Sequence, residues 1–215
     1  ITVDDFYYSS KNKIHSVQFS DGTAWSLEDI NNAVIEINGT EVSDSLYGYQ
    51  SGSNPNEVFY GKDGNDNIYG YDGNDIIYGG KGNDYMNGGA GDDTYVYNLG
   101  DGKDTIWNSG GTDTIVFGEG ISAEDVKIIR SGYELILKIS DTDMITVDDF
   151  YYSSKNKIHS VQTFDGYSLT GAQINLLAQN IATFETDTGI SWNDAVAEKN
   201  ETAYSIISEM WVKTC

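Results

Sequence analysis

Four aspartates stand nine residues apart: Asp66, Asp75, Asp84 and Asp93. They sit in GKDGNDNIY (61–69), GYDGNDIIY (70–78), GGKGNDYMN (79–87) and GGAGDDTYV (88–96), each with Gly at positions one and four, Asp at six and an apolar or aromatic side chain at eight. Between 61 and 113 there are ten Asp, no Glu, three Lys and neither His nor Cys. Carboxylates without imidazole or thiolate suit a hard cation with six or more oxygen ligands, which points to calcium and away from zinc or copper. A solvated acidic face would mix Asp with Glu and show no nine-residue phase.

The elements that must hold these groups follow from the same repeat. Glycines at positions one and four are expected to allow positive φ, so that six residues turn with carbonyls facing inward. The Asp at six ends the turn, and the last three residues form a short strand whose position eight faces the core. One such unit is crowded with like charge and too short to persist alone. Stacking the strands and placing cations between turns removes both defects.

Degenerate copies extend the array. Upstream, 39–47 keeps Gly39, Asp44 and Leu46, and 52–60 keeps Gly52 and Phe59 with Glu57 in the Asp slot; residues 48–51 are an insertion between them. Downstream, after the extra Tyr97 and Asn98, 99–107 carries Gly102, Asp104 and Ile106, and 108–116 carries Gly111, Asp113 and Ile115. A second, long repeat is also present: ITVDDFYYSSKNKIHSVQ occurs at 1–18 and unchanged at 145–162. Fixed-period self-similarity is the signature of stacked architectures. The identical stretch implies a duplicated block, so the chain is expected to be part of a longer protein with at least two blocks.

Composition narrows the partners. The 215 residues carry 34 acidic against 12 basic side chains, a formal charge of −22, which argues against nucleic acid and anionic membranes and for multivalent cations. With 24 Gly, one Pro, 16 Tyr and 7 Phe, the chain is neither collagen-like nor a disordered linker. The single cysteine, Cys215, excludes an internal disulfide. No apolar run approaches the roughly 18 residues of a transmembrane helix.

Beyond the array, TDTIVF, VKIIR, YELILKI and DMITVDDFYY between 112 and 152 read as strands. From 171 the apolar period approaches 3.6, with Ile174, Leu177, Ala178 and Ile181 on one face and Thr170 as N-cap. Ser191 is expected to cap a short helix through Trp192, Ala195 and Val196, and a last helix to run through Tyr204, Ile207 and Trp211.

The repeats resemble the RTX family of haemolysin-type calcium-binding proteins, whose pattern is GGxGxDxUx. The resemblance covers roughly 39 to 169 and includes the strand segments after the repeats. It implies a mainly β fold: a parallel β-roll with 18 residues per turn, flanking strands and a short helical tail. It also implies that each ion lies between turns two repeats apart, taking carbonyls two and four plus the Asp of one turn and carbonyls one and three plus the Asp of the other. On this sequence one ion would join Lys62, Gly64 and Asp66 to Gly79, Lys81 and Asp84. A second would join Tyr71, Gly73 and Asp75 to Gly88, Ala90 and Asp93. A third would join Gly80, Gly82 and Asp84 to Leu99, Asp101 and Asp104, across the two-residue insertion. A fourth would join Gly89, Gly91 and Asp93 to Asn108, Gly110 and Asp113. A weaker upstream set is Glu57 with Gly70, Asp72 and Asp75, where Pro55 and Glu57 break the pattern. Three to five calcium ions are expected.

The expected organisation is 1–38 as the end of a preceding block, 39–116 as the roll, 117–169 as capping strands and 170–215 as a helical tail. The resemblance implies type I secretion, with 170–215 as the signal read by the secretion machinery, and a secreted, extracellular or cell-surface location. The parent protein is then a toxin or haemolysin-like virulence factor; the alternatives are a large surface adhesin or a module that binds a host receptor. No catalytic group is expected in this segment. His15 and His159 are copies of one residue of the duplicated block rather than a catalytic pair, and no glycine elbow surrounds a nucleophile. The run FYY (6–8 and 150–152) reads as strand packing, and NGT (38–40) and NET (200–202) as chance matches to a glycosylation pattern.

Overall fold

Position eight of every repeat is apolar because it has to be buried. Leu46, Phe59, Ile68, Ile77, Met86, Tyr95, Ile106 and Ile115 are all at most 9% exposed. Each such side chain contributes about 1.5–3 kcal/mol of burial. The computed structural model describes residues 16–18, 20, 23–26, 35–49, 56–123, 125–152 and 157–213. The first copy of the duplicated segment up to His15, residues 50 and 51 of the insertion, Pro55 and Cys215 lie outside the described residues. So do the side chains of Ala178 and Ile207.

Strands β1 (Ser16–Gln18) and β2 (Ala24–Ser26) form an antiparallel pair. The array follows as β3 (Ile35–Asn38), β4 (Ser45–Tyr47), β5 (Glu57–Tyr60), β6 (Asn67–Asp72), β7 (Ile76–Tyr78), β8 (Tyr85–Ala90), β9 (Thr94–Tyr97), β10 (Lys103–Ile106) and β11 (Asp113–Phe117). Odd-numbered strands stack in one parallel sheet and even-numbered strands in the other, so the chain winds as a parallel β-roll of about four turns. Partners are 22 residues apart at the start of the array, as in Ile35↔Glu57, and 18 apart in its centre, as in Asn67↔Tyr85 and Ile76↔Thr94. After the Tyr97–Asn98 insertion the step becomes 20, as in Tyr85↔Thr105 and Thr94↔Thr114. The extra residues are absorbed in a turn where Asn98 N–H donates to Asp101 Oδ2 at 2.6 Å and Asp101 N–H to the Asn98 carbonyl at 3.1 Å.

Beyond β11 come β12 (Lys127–Ser131), β13 (Glu134–Lys138), β14 (Met144–Val147), β15 (Ile158–Gln162), β16 (Tyr167–Thr170), α1 (Gly171–Thr188), α2 (Trp192–Ala197), α3 (Glu201–Met210) and β17 (Val212–Lys213). Two of these strands prolong the roll, β14 parallel to β10 and β15 parallel to β11. β12 and β13 then continue antiparallel from β14, and β16 and β17 from β15. Thr170 caps α1 with a full capping box to Gln173, and Ser191 caps α2. Trp192 fixes α2 onto the sheet: it is fully buried, meets Phe184 edge-on and donates Nε1–H to the Ile128 carbonyl at 2.7 Å.

Two expected elements differ. DMITVDDFYY is a strand only to Val147; residues 148–152 are a turn, with Asp149 at φ 52°. Phe150 nevertheless enters the core from this turn, while Tyr152 at the end of the FYY run is 72% exposed. The last helix stops at Met210, and Trp211 is already extended. Its buried contacts come from Ala203 and Met210, while Tyr204 is 39% exposed.

Candidate metal centre

The turns take their shape from positions two and four. Positive φ occurs at Gly64, Gly73, Gly82 and Gly91 in position four, and at Lys62 (79°), Tyr71 (73°), Gly80 and Gly89 in position two. Position one does not adopt positive φ, contrary to the expectation from the sequence. Gly61, Gly70, Gly79 and Gly88 are required by close approach instead. A Cβ on Gly79 would lie 2.6 Å from Asp84 Oδ2, and one on Gly61 would meet both Asp66 Oδ2 and the Gly79 carbonyl. Position-one glycine keeps open the space beside the carboxylate.

The aspartates form two ladders through these turns. Each spends one oxygen on the preceding turn. Asp66 Oδ1 accepts from Asp44 N–H at 2.7 Å, Asp75 from Glu57 at 2.8 Å, Asp84 from Asp66 at 2.8 Å and Asp93 from Asp75 at 2.9 Å. Asp104 accepts from Asp84 at 3.0 Å and Asp113 from Asp93 at 2.8 Å, so the ladders cross the insertion. Among the described residues, the other oxygens of Glu57, Asp66, Asp75, Asp84 and Asp93 are buried without a hydrogen-bond partner. Leaving one such oxygen unsatisfied costs about 1–3 kcal/mol, and more when it is charged. A cation is the group that would satisfy a row of them.

The sequence-derived sets fall where the turns stack. Lys81 N–H donates to the Lys62 carbonyl at 2.6 Å and Gly64 N–H to the Lys81 carbonyl at 2.8 Å, joining the first set. Gly73 N–H to the Ala90 carbonyl at 2.9 Å joins the second, in which Gly89 lies against Tyr71 and Gly91 against Gly73. In the third, Gly82 N–H donates to the Asp101 carbonyl at 2.7 Å, Gly80 stacks on Lys62 and Leu99 is 58% exposed. The fourth is altered. Asn108 is fully buried, and its amide donates to Asp113 Oδ2 and to the Lys157 carbonyl, so Asp113 already has a protein partner where other turns have an open glycine. Gly110 has open space around it. Among the described residues no three His, Cys, Asp or Glu groups gather in metal-holding geometry, so carbonyl oxygens would have to complete any site here.

A family model for the RTX calcium-binding nonapeptide repeat matches residues 57–95 and 98–121. The chain carries RTX calcium-binding nonapeptide repeats. A model for the haemolysin-type calcium-binding protein related domain matches 1–29 and 134–173, which contain the two copies of the duplicated segment. The RTX chain is 37% identical over 99 residues to the iron-regulated protein FrpA of Neisseria meningitidis serogroup C; the match takes in 41% of this chain and 9% of that protein's length. Among solved structures it is similar to the AlgE6R3 and AlgE6R2 subunits of the Azotobacter vinelandii mannuronan C5-epimerase. They are 26% and 22% identical with TM-scores of 0.37 and 0.39, covering 56% and 59% of this chain and 79% and 92% of theirs.

The electrostatics of the RTX ladders favour a bound cation. Burial pushes the Asp84 and Asp93 carboxyls up to about 7 and Asp104 up to about 8. Glu57 rises to about 9, through burial and then through its contact with Asp75. Burial also raises Asp66, Asp75 and Asp113. Such groups ionise readily only beside a positive charge.

Three features escape the repeat pattern as first read. Position five forms a second ladder of opposite direction: Asn65 Oδ1 accepts from Asn83 N–H, Asn74 from Asp92, and Asp92 from Thr112, each at 2.8 Å. The recurrence of Asn65, Asn74 and Asn83 every nine residues is its signal in the sequence. Glu57 continues the ladder through its backbone N–H to Asp75, while its buried side chain, 1% exposed, accepts from Tyr49 N–H at 3.4 Å instead of from an earlier rung. His159 ends one ladder: its Nδ1 accepts from Asp113 N–H at 3.3 Å, where the next aspartate would stand. Ile145 pairs with Asp104 and ends the other with an apolar side chain.

Proposed function

We propose that this RTX segment is a calcium-triggered folding unit of an exported protein. The carrying observation is the row of buried carboxylates with one oxygen tied to the neighbouring turn and the other unpartnered. Four ions would lie between successive rungs: Asp66 with Asp84, Asp75 with Asp93, Asp84 with Asp104, and Glu57 with Asp75. Carbonyls of Lys62, Gly64, Gly79 and Lys81 would complete the first, those of Tyr71, Gly73, Gly88 and Ala90 the second, and those of Gly80, Gly82, Leu99 and Asp101 the third. The set ending at Asp113 is weaker because the Asn108 amide takes the place of the charge.

Each ion bound only by the folded chain adds about 2.7 kcal/mol at roughly 100 times its Kd, so four add roughly 11 kcal/mol. A whole domain is stable by about 5–15 kcal/mol. The array therefore folds where calcium is plentiful and stays open where it is scarce, which suits export through a type I system of a toxin or haemolysin-like protein that folds outside the cell. Any catalytic activity of such a protein lies outside this segment, and residues 170–215 carry the export signal. Calorimetric titration with calcium should give about four ions and a parallel gain of β signal in far-UV circular dichroism; identical spectra in EGTA and in millimolar calcium would sink the reading. Normal export after deletion of 170–215 would sink the secretion role.

A further inference from the structure

The chain has a single arginine, Arg130, near the end of β12. In a protein with 34 acidic residues it has no carboxylate within ion-pair distance among the described residues. Its Nε–H donates to the Gly132 carbonyl at 3.2 Å, and its guanidinium carbon lies 5.0 Å from the centre of the Tyr151 ring. These contacts fix the plane of the fork. Tyr151 carries a buried hydroxyl with no hydrogen-bond partner among the described residues. Burial holds that phenol up to about 12, so it is a donor at any physiological pH. Opposite, α1 presents the amides of Asn175 and Gln179, one helical turn apart, with Ala182 a turn further on. Together these residues line a groove of about 450 Å³, and none of them is acidic. A second cation is near: the Lys157 ammonium lies 4.3 Å from the Phe150 ring centre and 5.4 Å from that of Tyr151. The Tyr133 and Tyr152 rings, next in chain to Gly132 and Tyr151, are 58% and 72% exposed and meet edge-on at 5.3 Å.

A planar fork with two free nitrogens, an unused phenol donor and two neutral amides form the donor set for a carboxylate. A fully hydrated inorganic anion would have no use for the amides or the aromatic floor. We propose that the groove between β12, the 148–152 turn and α1 binds the carboxylate of an organic ligand, with Arg130 making the paired contact, Tyr151 donating to one oxygen, and Asn175 and Gln179 reading polar groups on the ligand body. The carboxylate could belong to a sugar acid or to the end of a peptide, and the recognition chemistry is the same for both. The site is remote in sequence from the RTX repeats and independent of which residues ligate calcium.

The test uses the whole calcium-saturated chain, with binding followed by heteronuclear NMR. The probes are glucuronate against glucose, and a short peptide with a free carboxy terminus against its amide. At least one carboxylate probe should bind saturably in the millimolar range, with shifts centred on Arg130, Tyr151 and α1, and its neutral counterpart should not. Binding by glucuronate alone assigns a sugar acid, and binding by the peptide alone assigns a chain terminus. Arg130→Gln should weaken binding roughly tenfold or more, since hydrogen bonds to charged groups carry that magnitude. The double variant Asn175→Ala/Gln179→Ala alters exposed helix positions and guards against misfolding; it should weaken binding severalfold while leaving calcium stoichiometry unchanged. Failure of both carboxylates to saturate, or parent-like affinity in Arg130→Gln, overturns the proposal.

Discussion

Replacing Asp84 by Asn should stabilise the chain without calcium and destabilise it with calcium. Asp84 is the central rung of its ladder: Oδ1 accepts from Asp66 N–H at 2.8 Å, its own N–H donates to Asp104, and Oδ2 is unpartnered. Asparagine keeps the shape and the first bond but removes the charge. In the ion-free fold burial raises the Asp84 carboxyl from 3.8 to about 7. That is about three pH units, or roughly 4 kcal/mol of ionisation cost at pH 7. The new amide N–H₂ is buried without an acceptor and returns about 1–3 kcal/mol of that. The net gain in EGTA is therefore about 1–3 kcal/mol. In calcium the same change weakens the two ion positions that share Asp84. A hundredfold loss at each removes roughly 5 kcal/mol, leaving a net loss of about 2–4 kcal/mol. Urea unfolding followed by circular dichroism measures both states, with trimethylamine oxide added to the EGTA samples so that a folded baseline exists. A change of the same sign in both media would show that Asp84 serves only as a hydrogen-bond acceptor, and the cation argument would fail with it.

Gly79→Ala should reduce stability in calcium by about 1–3 kcal/mol, read from the urea midpoint, because its Cβ would lie 2.6 Å from Asp84 Oδ2. Asn74→Ala should cost about 0.5–1.5 kcal/mol in either medium by removing the acceptor of Asp92 N–H, without changing the number of calcium ions bound. The pH dependence has opposite signs in the two states. Asp84, Asp93, Asp104 and Glu57 all have folded values above their ordinary ones, so the ion-free fold holds more protons than the unfolded chain. Its stability is fully present below about pH 4 and is lost as pH rises through about 7 to 9. Protons compete with calcium for the same oxygens, so the calcium midpoint by circular dichroism should rise by roughly tenfold or more between pH 8 and pH 5.5.

The array was legible because one short period carried both the packing and the polar signal. Each position-eight residue named from the repeat is buried, and each position-six aspartate from Asp66 to Asp113 joins a ladder through its carboxylate. Glycine is ambiguous in a sequence, since it serves positive φ and close approach alike. Position-one glycine serves close approach and not positive φ, and Lys62 and Tyr71 show that a side chain can occupy positive φ when the stack holds it there. His159 was not readable as the end of a ladder, because its partner, Asp113, lies 46 residues away. The 148–152 turn was hidden by aromatic residues that favour strands, while the parallel pairing of β14 and β15 with the roll depends on contacts across some 40 residues.

Those two strands bear on how the array starts to fold. β14 and β15 present the roll with a complete parallel edge, yet Ile145 and His159 replace the aspartates, so this last layer carries no ladder charge of its own. Its core is apolar and continuous with the helices: Phe117, Ile128, Leu135, Leu137, Val161, Leu169, Ile174 and Trp192 are all at most 1% exposed. The flank therefore escapes the ionisation cost that opposes the repeats in the absence of calcium. A half-turn added onto a preformed edge gains strand bonds and burial at once, whereas one formed in isolation gains neither. The flank should then be the template and the ladder should grow from it toward the amino terminus. Hydrogen exchange in EGTA tests this directly. Amides of β12 to β15 and α1 should remain protected by at least tenfold while those of β5 to β8 exchange freely, and calcium should extend protection upstream. Equal exchange in both regions without calcium would refute a templated order, because the whole unit would then fold as one.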